Sequence, residues 1–373
     1  MADPIPLTKS FSKFAIQLYQ ECVAEKGGNV IISPFSIQTA LSLALMGATG
    51  GTLQEMSNVM GYQNQDKKTI AENFGTLLST YKNSPLLKIA NKVYLQNNFH
   101  VKPQFNELAT NKFNSEAQSL NFADNVNSAR TINTWVEDKT NNKIKDLIPA
   151  DALNGDTRMV LVNAIYFKGF WTNKFKVEAT KPAPFWVTPE KSINVDMMNT
   201  KADFKYGLLE DLDAVALEMP YKDSDLSMLI ILPNKRDGLP ALEAALGKKD
   251  LAEITGSMYK TEVIVQIPKF KIEYEIELGN VLQKLGMGKM FSNAAEFEDM
   301  LVENEPLKVS KVIHKAFIDV NEEGAEAAAA TGLVMVLCSL VEDVYFTADR
   351  PFRFYLMSDR GNTVLFSGQV TKF

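Results

Sequence analysis

The order of apolar and polar positions divides the chain into a helical first half and a strand-rich second half. Phe11, Phe14, Ala15, Leu18, Tyr19 and Cys22 recur at helical spacing and predict an amphipathic first helix, with Cys22 on its apolar face as plain core. Ser33-Pro34 is a helix start, a serine N-cap followed by proline in the first turn. The run from there to Met46 is apolar nearly all round, so this helix is expected to be deeply buried. Thr52 to Met60, stopped by Gly61, and Thr69 to Tyr81 give two more helices. Leu87, Ile89, Asn91, Val93 and Leu95 alternate as a strand does. Ile132 to Ile148 reads as another helix, with Trp135, Val136 and Ile144 available for its inward face. Met159 to Phe167 is apolar on both faces apart from Asn163, the pattern of a central strand covered on both sides.

Further along, Val215–Met219 and Leu226–Leu232 flank a turn at Lys222–Asp225 and read as a hairpin. Val263–Ile267 and Phe270–Ile276 are expected to pair around Pro268, and Thr363 to Val370 closes the chain in a strand. Val309 to Val320 has the β-branched and aromatic residues of a buried strand. Tyr345 to Met357 reads as strands broken near Asp349–Pro351. No repeat, low-complexity tract or linker divides the chain, so a single α+β domain over 1–373 is expected.

Between the last two strand regions lies a long stretch, Asn321 to Leu340, whose first half is Gly324, four alanines from Ala327 to Ala330, Thr331 and Gly332. Long loops inside a compact domain are uncommon and usually functional. In an extended conformation Ala325, Ala327, Ala329 and Thr331 share one side, while Glu326, Ala328, Ala330 and Gly332 share the other. The first side is small enough to slide beneath a packed layer. On composition alone a helical or floppy linker is the alternative, since alanine is the best helix former.

Composition narrows the chemistry. The 39 basic and 45 acidic residues are evenly spread and give a net charge of −6, which argues against nucleic acid as a partner. No apolar run is long enough to span a membrane. The opening MADPIPLTKS lacks the apolar core of a signal peptide, so the chain is either cytosolic or has lost its leader. Two cysteines, Cys22 and Cys338, are too few for a disulfide scaffold, and no Asn-x-Ser/Thr acceptor survives inspection. G-x-S-x-G, a P-loop, C-x-x-C and H-E-x-x-H are all absent, which leaves no catalytic or metal-ligating set. Of the two histidines, His314 lies among Val312, Ile313 and Phe317 and is expected to be a hydrogen-bonded core residue. A Cys338–His314 dyad is disfavoured, because the neighbours of Cys338 contain no basic residue to lower its pKa.

The string EEGAEAAAATG (Glu322–Gly332) resembles the hinge of inhibitory serpins. The resemblance extends through NVIISPFSIQTALSLALMGATGGT (Asn29–Thr52), INTWVEDKTNNKIKDLI (Ile132–Ile148), LVNAIYFKGFW (Leu161–Trp171) and LGMGKMF (Leu285–Phe291). It continues in KVIHKAFIDVNEEG (Lys311–Gly324) and FTADRPFRFYLMSDRGNTVLFSGQV (Phe346–Val370). One departure is Ala325, where inhibitory members usually carry threonine or serine; a methyl does not block insertion.

The resemblance implies three β-sheets with eight or nine helices and a reactive-centre loop over about 322–345. It implies an inhibitor that is cut as a substrate by a serine protease and traps it, not an enzyme. The hinge would be Glu322, Glu323, Gly324, Ala325, Glu326, Ala327, Ala328, Ala329, Ala330 and Thr331. A shutter of Ser33, Ser36, Asn163 and His314 would lie where the central sheet parts. Trp171, with Lys289 facing Glu322, would form the breach above it. Counting from Gly324 puts the reactive bond at Cys338–Ser339, with Leu337–Cys338 and Leu340–Val341 as alternatives.

Lys and Arg are absent from Gly324 to Tyr345, so a chymotrypsin-like or elastase-like enzyme fits better than a trypsin-like one. A cysteine protease target and a non-inhibitory carrier, chaperone or storage role are the alternatives. Lys67, Lys68, Lys82, Lys88 and Lys92 are scattered, which disfavours a glycosaminoglycan site. No cofactor is expected; a monomer is, with an extracellular location preferred to a cytoplasmic one.

Overall fold

The computed structural model describes residues 7–82, 84–303, 305–322, 343–358 and 363–373. Its helices are α1 (Leu7–Lys26), α2 (Pro34–Gly47), α3 (Gly50–Val59), α4 (Lys67–Tyr81), α5 (Pro103–Phe113), α6 (Asn125–Lys139), α7 (Leu239–Leu246), α8 (Leu251–Ser257) and α9 (Gly279–Lys284). Its strands are β1 (Val30–Ile32), β2 (Leu87–Gln96), β3 (Ala117–Leu120), β4 (Met159–Phe167), β5 (Lys181–Trp186), β6 (Ser192–Leu209) and β7 (Ala214–Pro220). They continue with β8 (Leu226–Pro233), β9 (Tyr259–Pro268), β10 (Phe270–Glu277), β11 (Val309–Val320), β12 (Val344–Thr347), β13 (Phe352–Ser358) and β14 (Thr363–Val370). These residues fall into two compact units, 1–168 with 272–318 and 363–367, and 169–271 with 319–362 and 368–373.

In the first unit a five-stranded sheet has the order β10-β11-β4-β2-β3. Its centre is the parallel pair β4 and β11, in register from Val309 opposite Met159 to Ile318 opposite Phe167, with a shift between Val309 and Lys311. Every residue of β4 is buried, as its two-sided apolar pattern requires. On one face the α6 region packs Ile132, Val136, Ile144 and Leu147 against Ala90, Val162, Ala164 and Phe317. The α2 helix is buried along its whole length. Ser33 caps it by accepting the Ser36 N–H, and Pro34 opens it.

In the second unit β13, β8, β7, β6, β9 and β12 are successive neighbours, and β5 pairs with the start of β6. The long β6 pairs with β9 over Met197–Tyr206 and with β7 over Lys205–Leu209, so two of the three expected sheets are continuous here. β7 and β8 form the expected antiparallel hairpin.

Two expectations are corrected. The helix read over Ile132–Ile148 runs from Asn125 to Lys139. Thr140 turns its hydroxyl onto the Val136 carbonyl, and Asn141 and Asn142 take left-handed conformations that end the helix. The strands either side of Pro268 do not pair with each other: β9 lies between β6 and β12, whereas β10 joins β11 in the other sheet. Proline supplies no N–H to extend the ladder, and the Lys269 N–H goes to the Asp196 carbonyl (2.8 Å), so the chain changes sheets at this point.

Candidate functional site

Two clusters follow from this arrangement, one in each unit. In the first, the sheet register puts Asn91, Asn163 and His314 side by side on β2, β4 and β11. Asn163 and His314 are fully buried, as are Ser33 and Ser36 at the start of α2. Buried polar groups of this kind must be hydrogen-bonded, and these are. The Ser33 N–H donates to His314 Nε2 (3.2 Å), so Nε2 is an acceptor and Nδ1 carries the proton donated to Asn163 Oδ1. Asn163 Nδ2 donates to Ser36 Oγ and Asn91 Oδ1. Ser36 Oγ reaches Asn91 Oδ1 at 3.3 Å, and Ser33 Oγ donates to the Leu365 carbonyl at 2.6 Å.

Burial lowers the His314 pKa to about 3, so the imidazole is neutral. The Ser33 hydroxyl is directed away from His314 onto a carbonyl, and no serine–histidine dyad forms. The residues read as a shutter are thus brought together, and Asn91 joins them. In the sequence Asn91 stood inside an alternating strand on the same side as Leu87, Ile89 and Val93; a single amide in that row was the signal.

In the second unit, Trp171 is 3% exposed and stacks on Tyr221 with ring centroids 4.4 Å apart. Its Nε1 donates to the Asn321 carbonyl at 3.0 Å, immediately before Glu322. Glu322 accepts from Lys269 Nζ (2.9 Å) and from Thr180 Oγ1 (2.9 Å). Desolvation acts upward on this carboxyl. The hydrogen bonds from Lys269, its own backbone and Thr180, with the lysine charge, hold it below the usual glutamate range.

The expected Lys289–Glu322 pairing is corrected. Lys289 Nζ bonds Glu296 (2.7 Å), whose carboxylate also accepts the Gly51 N–H (2.6 Å) at the start of α3. A Cβ at Gly51 would come 2.5 Å from that ammonium, so Lys289 is committed to the α3 terminus. The partner of Glu322 is Lys269, one residue past Pro268 where the chain leaves β9.

Glu323 to Thr331, Cys338 and Ser339 lie outside the described residues. Among the described residues no group of three or more His, Cys, Asp or Glu could hold a metal, and no helix is long and apolar enough to cross a membrane.

A family model described as "Serpin (serine protease inhibitor)" matches residues 9–373. The chain is 40% identical over 374 residues to "Iris" of Ixodes ricinus, covering 98% of each. It is 36% identical over 373 residues to "Leukocyte elastase inhibitor" of Bos taurus, covering 98% of this chain and 99% of that one. The solved structure "Cleaved Serpin 42Da" superposes with a TM-score of 0.89 at 43% identity, covering 98% of each chain. With the fold and the sequence in agreement, the chain belongs to the serpin family, described as serine protease inhibitors.

Proposed function

We propose that this chain, acting as one serpin domain, is a suicide-substrate inhibitor of a chymotrypsin-like or elastase-like serine protease. The observation that carries the reading is the direct parallel pairing of β4 with β11, with Asn163 and His314 facing each other across it. The chain that continues from the end of β11 is the small-residue hinge, Glu322 to Thr331. The protease attacks one bond of the loop, Cys338–Ser339, and becomes acyl-linked to Cys338 with release of the new amino terminus at Ser339. The freed hinge then enters between β4 and β11 as a new strand, and the polar row exchanges partners as those strands part.

A dozen inserted residues at roughly 0.5–1.5 kcal/mol per hydrogen bond supply on the order of 10 kcal/mol. Loop insertion of this kind releases strain stored in the intact serpin sheet. Displacing the acyl-enzyme's catalytic groups by ~1 Å slows deacylation ~100-fold, so the adduct persists. The uncharged stretch Leu333–Leu337 suits an apolar protease cleft, and the bovine relative is named for an elastase. We place the inhibitor outside cells, with the cytoplasm as the alternative location.

The test is a denaturing gel after mixing with chymotrypsin, elastase and a papain-type cysteine protease in turn. An SDS-resistant adduct with chymotrypsin or elastase, and a released peptide starting at Ser339, is the expected result. Cleavage without adduct assigns the chain to the non-inhibitory serpins, and an adduct with the cysteine protease alone moves the target class.

A further inference from the structure

In the second unit a line of hydrogen bonds runs across the sheet from one root of the reactive loop to the other. On β12, just past the loop's C-terminal end, Thr347 Oγ1 donates to Gln266 Oε1 at 3.0 Å. Gln266 Nε2 donates to Asn199 Oδ1 at 2.7 Å. Asn199 Nδ2 donates to the Ala179 carbonyl at 3.0 Å and to the Met197 carbonyl at 3.0 Å. Ala179 is followed by Thr180, whose hydroxyl holds Glu322, the first hinge residue.

The line is set by the register. Asn199 faces Gln266 across β6 and β9, and Gln266 faces Thr347 across β9 and β12, so the three polar side chains form one row. The Asn199 amide spends both donors locally, which fixes its orientation and leaves Oδ1 to accept from Gln266. Asn199 and Gln266 line an open cleft of about 580 Å³, and all three members of the row are half-buried, so they are held by one another more than by close packing.

We propose that Thr347, Gln266 and Asn199 are positioning residues that couple the seating of β12 to the grip of Thr180 on Glu322. While β12 is in register, the row fixes the Ala179 carbonyl and with it the Thr180 hydroxyl; when β12 shifts, that grip loosens. Occupation of the loop's C-terminal side by a protease is thereby transmitted to the hinge root along side chains in contact rather than through the loop itself. The consequence for inhibition rests on the reading of the chain as a loop-inserting inhibitor; the coupling itself does not.

The test uses the full chain in a Trp135→Phe/Trp186→Phe background, which leaves Trp171, bonded to the Asn321 carbonyl, as the only indole. Acid titration of its fluorescence reads the Glu322 contact. Thr180→Val, which removes the contact directly, sets the scale of the upward shift in midpoint. Thr347→Val and Asn199→Leu are expected to move the midpoint in the same direction. Thr347→Val added to Asn199→Leu is expected to change nothing further, because the line is already cut. Thr200→Val, a neighbour whose hydroxyl goes to the Lys174 carbonyl (3.3 Å) outside the row, is expected to leave the midpoint unchanged.

A Thr347→Val midpoint equal to that of the parent overturns the proposal, as does a Thr347→Val shift of full size in the Asn199→Leu background. If Asn199→Leu unfolds the chain, Gln266→Leu cuts the same line and takes its place. The second measurement is conversion on warming, without protease, to a heat-resistant form. Both single variants are expected to convert severalfold faster than the parent, and the double variant no faster than the quicker single; multiplying effects overturn the coupling. A chain that does not convert while uncut leaves the titration to decide the coupling and the denaturing gel to decide the inhibitor reading.

Discussion

His314 is the residue at which the chemistry of the sheet is most sensitive to solution conditions. Its folded pKa, about 3, lies below the unfolded value of about 6.5. Above pH ~6.5 neither state binds the proton and there is no linkage. As pH falls below that, the unfolded chain takes up a proton that the folded chain refuses, so stability falls by up to about 1.4 kcal/mol per pH unit until pH approaches 3. Protonation in place would also abolish the acceptor at Nε2 and orphan the Ser33 N–H. His314→Gln is therefore expected to be less stable than the parent near pH 7.5, with the gap narrowing by roughly 2 kcal/mol between about pH 7 and pH 5. Urea midpoints measured at each pH check this; parallel curves would show that the imidazole is not the titrating group. The role of this histidine as core was legible because Val312, Ile313 and Phe317 share its strand and no catalytic motif surrounds it; in the fold the group that orients its ring is the Asn163 amide, not a carboxylate. Asn91 was harder to see, since only the register sets it beside Asn163.

The elements that hold the hinge root and the central seam were legible as elements but not as partners. LVNAIYF announces a two-sided strand, and KVIHKAF another, yet nothing in their order says that they are parallel neighbours. Lys269 was invisible for the same reason. It follows Pro268 at a switch between sheets that the sequence presents as a hairpin, and its link to Glu322 spans more than fifty residues. That link predicts an asymmetry. Lys269→Met leaves a carboxylate that is 6% exposed with Thr180 as its remaining side-chain donor. Glu322→Gln leaves a neutral amide that still accepts from Thr180. The lysine variant is expected to disturb Trp171 fluorescence more than the glutamine variant, although the pair's half-exposed ammonium limits the cost to about 1–2 kcal/mol. Equal disturbance would mean that the charge is irrelevant to the hinge root.

On β11, Lys315 makes a comparable link. Its ammonium bonds the Lys145 carbonyl at 2.8 Å in the segment after α6, and Glu273 (2.9 Å) and Glu275 (3.3 Å) on β10. Two of its three acceptors belong to β11's own neighbour, so parting β11 from β4 sacrifices the Lys145 bond alone. Lys315→Met is expected to raise hydrogen exchange of the β4–β11 amides severalfold while leaving those of β8 and β13 unchanged.

For the whole molecule, the proposed trap requires that the nicked chain be more stable than the intact one, and that the hinge be the reason. The side of the hinge carrying Ala325, Ala327, Ala329 and Thr331 would enter a layer already occupied by close-packed side chains, where a methyl fits and a carboxylate does not. Ala327→Glu and Ala329→Glu together are accordingly expected to leave the rate of loop cleavage by chymotrypsin within about twofold of the parent, because neither residue enters the protease cleft near Cys338–Ser339. The adduct, by contrast, should fall at least about tenfold, with cleaved product taking its place. Melting the cleaved chains separates the steps. An insertion worth on the order of 10 kcal/mol raises the Tm of the cleaved parent by at least about 10 °C, and the double variant should lose most of that rise. A cleaved parent that melts with the intact chain would remove the driving force. A double variant that gains the full rise without forming adduct would instead assign the failure to timing, with insertion completed after the acyl bond had been hydrolysed.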